Sequence, residues 1–301
     1  MKNNATWLVY TLLLLLMAPM MVWAAPAAKA DPVPEKLPWT LREHYTFHGE
    51  GLRLDYAKDN AEWRIKEYEE DSESSRMYPK LVLRDVGFSI DVKNGPVLNN
   101  ELLSATGETT MHREAYNCDI LGEGTTYAVE FVPYEGLTVK HSLITMRRWN
   151  FIRVVISITN TSGAPVEIAK ISPVIISSDN YPNLSVNAVT STNSLVYEDG
   201  KAVLGDTGAV NTIRLFDPDR NVTLLMGFIP TGQGVCEFRK YPAGAPLEGI
   251  FETVYDPAVV IADGETMESN PLSIGFGIDA EIMEGQYAYL LRKFCEVPET
   301  K

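Results

Sequence analysis

Hydrophobic and polar residues alternate with a period of two along most of the chain from Tyr45 onward. The clearest stretch is 151–159, where Ile152, Val154, Ile156 and Ile158 alternate with Arg153, Val155, Ser157 and Thr159. That spacing puts one strongly apolar face on a strand. The stretch stops at Asn160-Thr161-Ser162-Gly163-Ala164-Pro165, six residues that favour turns. Apolar positions resume at Val166 and Ile168, and Ile171 breaks the phase, which predicts a bulge near Ala169–Lys170. The two halves are expected to form a hairpin.

Further strands are predicted over 81–92, 127–132, 137–146, 212–216, 222–229, 234–238, 250–254 and 272–278. Separators such as Lys93-Asn94-Gly95-Pro96, Pro133-Tyr134-Glu135-Gly136 and Ala262-Asp263-Gly264-Glu265 carry the residues that turns require. Many short strands divided in this way imply an all-β sandwich or barrel, with no internal repeat and no linker splitting the chain. One helix is expected, over 279–294. Asp279 would cap it and Glu281 and Glu284 suit its first turns. Met283, Tyr287, Leu290 and Phe294 would form its apolar face, and Arg292 and Lys293 suit its C-terminal end.

The N-terminus follows a different pattern. Lys2 precedes an apolar run from Trp7 to Trp23, and Ala28-Lys29-Ala30 fits a signal-peptidase site. Residues 1–30 are therefore read as a signal peptide, 31–44 as a Pro-rich extended lead-in and 45–301 as one sandwich domain. Export to a secreted or periplasmic location follows, with no membrane association after cleavage. The net charge is −14, and removing Lys2 and Lys29 with the signal takes it to −16. A chain this acidic, without a basic run, is not expected to bind nucleic acid. Cys118, Cys236 and Cys295 are too scattered for a metal knuckle. One disulfide is compatible with export, and the spacing does not choose among the three pairings.

No hydrolase, zincin, phosphate-loop or dinucleotide fingerprint occurs. Gly122-Glu123-Gly124 is read as a turn. His44 and His48 alternate with Tyr45 and Phe47 as on a strand, which would hold the imidazoles roughly 13 Å apart and exclude a shared metal. Asp217, Asp219 and Asn221 read as a turn, not a calcium site. No cofactor is expected. Sugar binding is the remaining chemistry, using an aromatic ring flanked by polar groups. Arg148-Trp149-Asn150 is the leading candidate, Asp179 with Tyr181 the second, and Trp39 and Trp63 follow. The sequons at Asn160, Asn183 and Asn221 bear on a glycosylating host only.

Three stretches together resemble a known family. They are the segment Phe151–Val166, Val222–Ile229 with its Met226-Gly227-Phe228, and Ile261–Ser269, which runs on into 272–278 and the terminal helix. They are similar to the N-terminal β-supersandwich of alpha-galactosidase and raffinose-synthase type glycoside hydrolases, the melibiase clan. The resemblance implies a large two-sheet antiparallel sandwich of the galactose-mutarotase-like kind, closed by one C-terminal helix. In that family a (β/α)₈ barrel follows and holds the catalytic carboxylates. This sequence has no alternating βα segment, so no catalytic residue carries over. The expected function is a non-catalytic, exported, carbohydrate-associated module that binds glycan or packs on a glycoside hydrolase. The alternatives are the front part or split-gene partner of such a hydrolase, and a structural sandwich without ligand.

Overall fold

Asn160 holds the two halves of the fold together, and its surroundings follow from where the strands run. The computed structural model describes residues 41–49, 52–70, 77–147, 149, 151–176, 190–191, 194–198, 201–205, 212–217, 222–240, 249–277 and 280–294. All of them belong to one compact unit, Trp39–Lys301.

One sheet has eight strands: β1 (His44–Gly49), β2 (Leu52–Ala57), β3 (Trp63–Glu70), β4 (Met77–Val92), β5 (Val97–Asn99), β10 (Val166–Ile176), β16 (Val235–Lys240) and β17 (Gly249–Ile261). The other has nine: β6 (Thr110–Cys118), β7 (Gly122–Glu130), β8 (Leu137–Met146), β9 (Phe151–Asn160), β11 (Thr190–Ser191), β14 (Thr212–Asp217), β15 (Val222–Phe228), β18 (Thr266–Glu268) and β19 (Leu272–Gly277). β12 (Ser194–Glu198) and β13 (Lys201–Gly205) form a separate two-stranded ribbon. All the paired strands are antiparallel, and α1 (Asn100–Ala105) and α2 (Ala280–Phe294) complete the elements. The fold is the two-sheet antiparallel sandwich that the resemblance implies, with the expected helix at the C-terminal end.

The core lies between the sheets. Ile152, Val154, Ile156 and Ile158 of β9 are fully buried there against Ile168, Ile171 and Val174 of β10 and Phe88 of β4. The expected hairpin is corrected by this arrangement. β9 pairs with β8, β18 and β19, whereas β10 pairs with β4 and β17 in the other sheet. Both strands carry a continuous apolar face, and those faces bury each other by facing across the core, not by lying side by side. The stretch 161–165 is long enough to cross the ~10 Å between packed sheets. The predicted bulge is present, as a register shift between Ile168 and Lys170.

A second crossing, from β17 to β18, runs beside the first. Asn160 joins the two. Its amide donates to the carbonyl oxygens of Ala164 (2.7 Å) and Ile261 (2.9 Å). Its Oδ1 accepts from the Ser162 amide (3.0 Å) and hydroxyl (2.8 Å). Its backbone exchanges bonds with Glu265 and Gly264, and Asp263 Oδ1 accepts from the Gly163 amide. Gly163 and Gly264 take the left-handed conformation, at φ 82° and 81°. Asn160 is fully buried, which excludes its amide as a glycan acceptor.

Helix α2 covers the outer face of the nine-stranded sheet. Met283, Tyr287 and Leu290 pack on Leu225, Phe151, Met146 and Leu121. Gly227 makes this contact possible, because a Cβ there would lie 2.3 Å from the Tyr287 hydroxyl. That hydroxyl accepts from Thr212 Oγ1 and donates to the Phe228 carbonyl. Short α1 has a recognisable start, since Asn99 Oδ1 accepts from the Leu102 amide at 2.8 Å. Cys118 and Cys236 are thiols in separate apolar clusters and are not paired with each other; Cys295 lies outside the described residues.

The Asn160→Ala change should cost roughly 2–4 kcal/mol, because it strands buried carbonyl groups as well as removing bonds. Denaturant unfolding measures it, and a loss below about 1 kcal/mol would show that the crossings hold without this side chain.

The core also contains an imidazole. His141 of β8 is fully buried, stacked on Phe88 at 5.0 Å between ring centroids, and neither ring nitrogen has a hydrogen-bond partner. Burial holds it down from 6.5 to about 3. The unfolded chain takes up this proton below about pH 6.5, and the folded chain only near pH 3. Stability is therefore complete above that upper value and falls as the pH drops towards the lower one, by roughly 1 kcal/mol per unit. Unfolding midpoints measured at about pH 7 and about pH 5 should differ accordingly, and His141→Leu should flatten the slope.

Candidate glycan-binding surfaces

Trp149, the leading sequence candidate, sits just after β8 on the helix-covered side. Its indole N–H donates to the Leu121 carbonyl at 3.1 Å, and its half-buried ring stacks on Tyr289 of α2 at 5.8 Å and 22°. With Ile282, Gly285 and Gln286 these rings line a shallow, open patch. The indole polar atom is thus already committed to the sheet edge, and among the described residues Gln286 and the Tyr289 hydroxyl are the further polar groups of the patch. Arg148, Asn150, Asp179, Tyr181 and Trp39 lie outside the described residues. Trp63 is a correction: it is fully buried between the sheets, where its strand turns it into the core, and cannot meet a sugar.

A second surface lies at the opposite face of the same sheet edge. β6 and β7 form a hairpin in which Arg113 stands opposite Tyr127, Ala115 opposite Thr125 and Asn117 opposite Glu123. Thr125 in turn stands opposite Thr145 of β8. The period of two places these side chains on the face that carries the core residues Val129, Val139 and Leu143 further along. The inner face of the sheet therefore runs past the end of the core. There its residues become polar, and a cleft of about 820 Å³ opens among them.

Tyr127 marks the boundary. One side of its ring stacks on Phe47 in the core at 4.5 Å, and the Arg113 guanidinium lies 5.7 Å from its centroid. At the far end Arg147 bonds Glu123 at 2.9 Å. Gly124 permits the tight β7–β8 approach, as a Cβ there would fall 2.1 Å from the Thr145 carbonyl oxygen. The cleft offers two guanidinium forks, the carboxylates of Glu114 and Glu123, a carboxamide, a phenol and threonine hydroxyls. Such groups donate to and accept from adjacent hydroxyls in pairs.

The sequence pattern alone misses this cleft. β6 reads Thr-Met-His-Arg-Glu-Ala-Tyr-Asn-Cys, polar on both faces, so it carries no apolar period. Gly122-Glu123-Gly124, expected as a turn, opens β7 instead; only Gly122, at φ 76°, has turn geometry. The available signal was the alternation of Thr125, Tyr127, Val129 and Phe131, which extends the inner face of 127–132 back to the glycines.

No family model matches the chain, and no curated protein sequence matches it. Solved structures do. The GH36 alpha-galactosidase AgaA from Geobacillus stearothermophilus, solved as a variant with stachyose, superposes with a TM-score of 0.51 at 10% identity, over 84% of this chain and 43% of that one. The fold is the sandwich of GH36 alpha-galactosidases. An alpha-N-acetylgalactosaminidase, NagBb from Bifidobacterium bifidum in complex with GalNAc, has a TM-score of 0.48 at 10% identity, over 83% of this chain and 39% of that one. The Synechocystis protein Slr1438 has a TM-score of 0.41 at 10% identity, over 81% of this chain and the whole of the other. This chain spans less than half the length of either enzyme.

Proposed function

We propose that this protein is an exported, non-catalytic, carbohydrate-associated sandwich, which binds a neutral glycan in the cleft between β6, β7 and β8. The observation that supports this most is the run of the inner sheet face beyond the core into a wide cleft of paired donors and acceptors. A cleft of that size holds a few sugar rings. The shared fold adds a glycoside-hydrolase context, and a hydrolase partner or downstream barrel is compatible with the short span of the match. The Trp149–Tyr289 patch is the weaker surface for sugar, because its indole N–H is taken.

Glycan-array screening followed by calorimetry with the best neutral oligosaccharide tests this reading. Arg113→Gln and Arg147→Gln should each weaken binding at least about tenfold, as expected for losing a charge-assisted hydrogen bond. Both side chains stand at the cleft wall, so thermal unfolding should be unchanged. Absence of binding to any glycan, or wild-type binding by both variants, would remove the proposal.

Export is part of the same proposal and is supported by the tripartite N-terminus. Expression of the full chain in a secretion-competent bacterium should yield a mature protein whose N-terminus, read by mass spectrometry, is Asp31. Retention of residues 1–30 in the cell-associated protein would overturn the signal-peptide reading.

A further inference from the structure

β6 ends the nine-stranded sheet, and among the described residues its far edge carries no strand. Which of its backbone groups are free follows from the next two strands. The Phe131 amide donates to the Val139 carbonyl, and the Arg147 amide to the Glu123 carbonyl. Odd-numbered residues of β7 therefore address β8, and even-numbered ones address β6. The register pairs even with even, Glu114 with Thr126 and Tyr116 with Gly124. The amides and carbonyls of Met111, Arg113, Ala115 and Asn117 thus point away from the sheet. Among the described residues nothing bonds to them.

The other sheet ends are less open. Among the described residues, the end strands β1, β16 and β11 have six, six and two residues, against nine in β6. β6 pairs with β7 without a register shift, contains no proline or lysine, and leaves six of its nine residues exposed. It therefore lacks the bulge, proline or lysine by which exposed edges are kept from pairing. Its arginine and glutamate cancel, in a chain of net charge −14.

Such an edge can take a second copy of itself, because antiparallel pairing about a twofold axis opposes the strand to its own sequence. Charge selects the register. A twofold at Arg113 or at Glu114 would set like charges directly opposite each other, which destabilises a strand pair. A twofold at Ala115 opposes Arg113 to the second copy's Asn117 and Glu114 to its Tyr116, with the two alanines at the centre. Arg113, Ala115 and Asn117 then exchange backbone hydrogen bonds with the second copy. A twofold at Tyr116 would carry Arg113 past the end of the opposing strand, so the Ala115 register keeps more of these bonds.

We propose that the protein pairs with a second copy of itself through β6, edge to edge and antiparallel about Ala115, joining two nine-stranded sheets into one. Arg113, Ala115 and Asn117 also line the cleft. The twofold axis stands perpendicular to the sheet, so both inner faces stay on one side and the two clefts merge into a single groove across the dimer. The dimer does not rest on the glycan reading; only the use of the joined groove does.

Analytical ultracentrifugation of the protein, purified after expression of the full chain, should show a monomer–dimer equilibrium. Ala115→Lys sets two ammonium groups face to face, and Ala115→Pro removes an outward amide without touching the β6–β7 ladder. Each should weaken the dimer at least about tenfold while circular dichroism remains that of the wild type. Cross-linking reads the register. The Ala115→Cys variant should form a disulfide between copies under air oxidation, since residues opposed in a bonded pair lie about 5.5 Å apart at Cα. In the Met111→Cys variant the two new thiols would lie about 26 Å apart, and no such link should form between them. Mass spectrometry of the linked peptides identifies the cysteines involved. A monomer throughout the micromolar range, a dimer unchanged by both the lysine and proline variants, or equal cross-linking by both cysteine variants would overturn the proposal. Open-ended assemblies would overturn it too, because a twofold edge contact closes at two copies. A dimer that responds to these variants but binds no glycan would leave the pairing through β6 standing while the cleft reading failed.

Discussion

Two crossings between the sheets have to be made side by side, and the buried carboxamide of Asn160 is what lets both close. A chain that leaves one sheet for the other gives up its ladder partners over several residues. The backbone groups freed in this way lie near the core and need other partners. Asn160 supplies them for both crossings, with two donors and one twice-used acceptor. No aliphatic residue could do so, and the negative charge of an aspartate would meet carbonyl oxygens where the amide now donates. Once these crossings are fixed, β9 lies in one sheet and β10 in the other, and the apolar faces of the two strands are brought together as the centre of the core.

This explains what was legible in the sequence and what was not. The strand at 151–160, the turn after it, the bulge near Lys170 and the helix all rest on local patterns, and each appears in place. The pairing of β9 with β10 was misjudged because an apolar face shows only that a strand is covered, not whether its cover lies beside it or across from it. Asn160-Thr161-Ser162-Gly163 supports either geometry. The deciding contact comes from Ile261 and Glu265, about a hundred residues away and invisible to local reading. The glycine of Met226-Gly227-Phe228 is similar. Its reason is the Tyr287 hydroxyl, which reaches the strand only when helix and sheet are packed.

The candidate sites were harder to read for a related reason. Sequence favours an isolated tryptophan among polar residues, and that criterion selects Trp149. In the fold this ring is a bracket between α2 and the Leu121 turn. The polar cleft instead arises where a sheet outruns its core. Its residues keep the two-residue period while losing the apolar character by which a period is recognised, and so β6 carries no signal of its own.

The distribution of charge bears on what the cleft can hold. Around the cleft, Arg113 and Arg147 are matched in number by Glu114 and Glu123, with Arg147 bonded to Glu123 and Arg113 over its aromatic ring, and the other lining residues are neutral. Such a lining suits hydroxyl groups, whose hydrogen bonds need donors and acceptors in similar number.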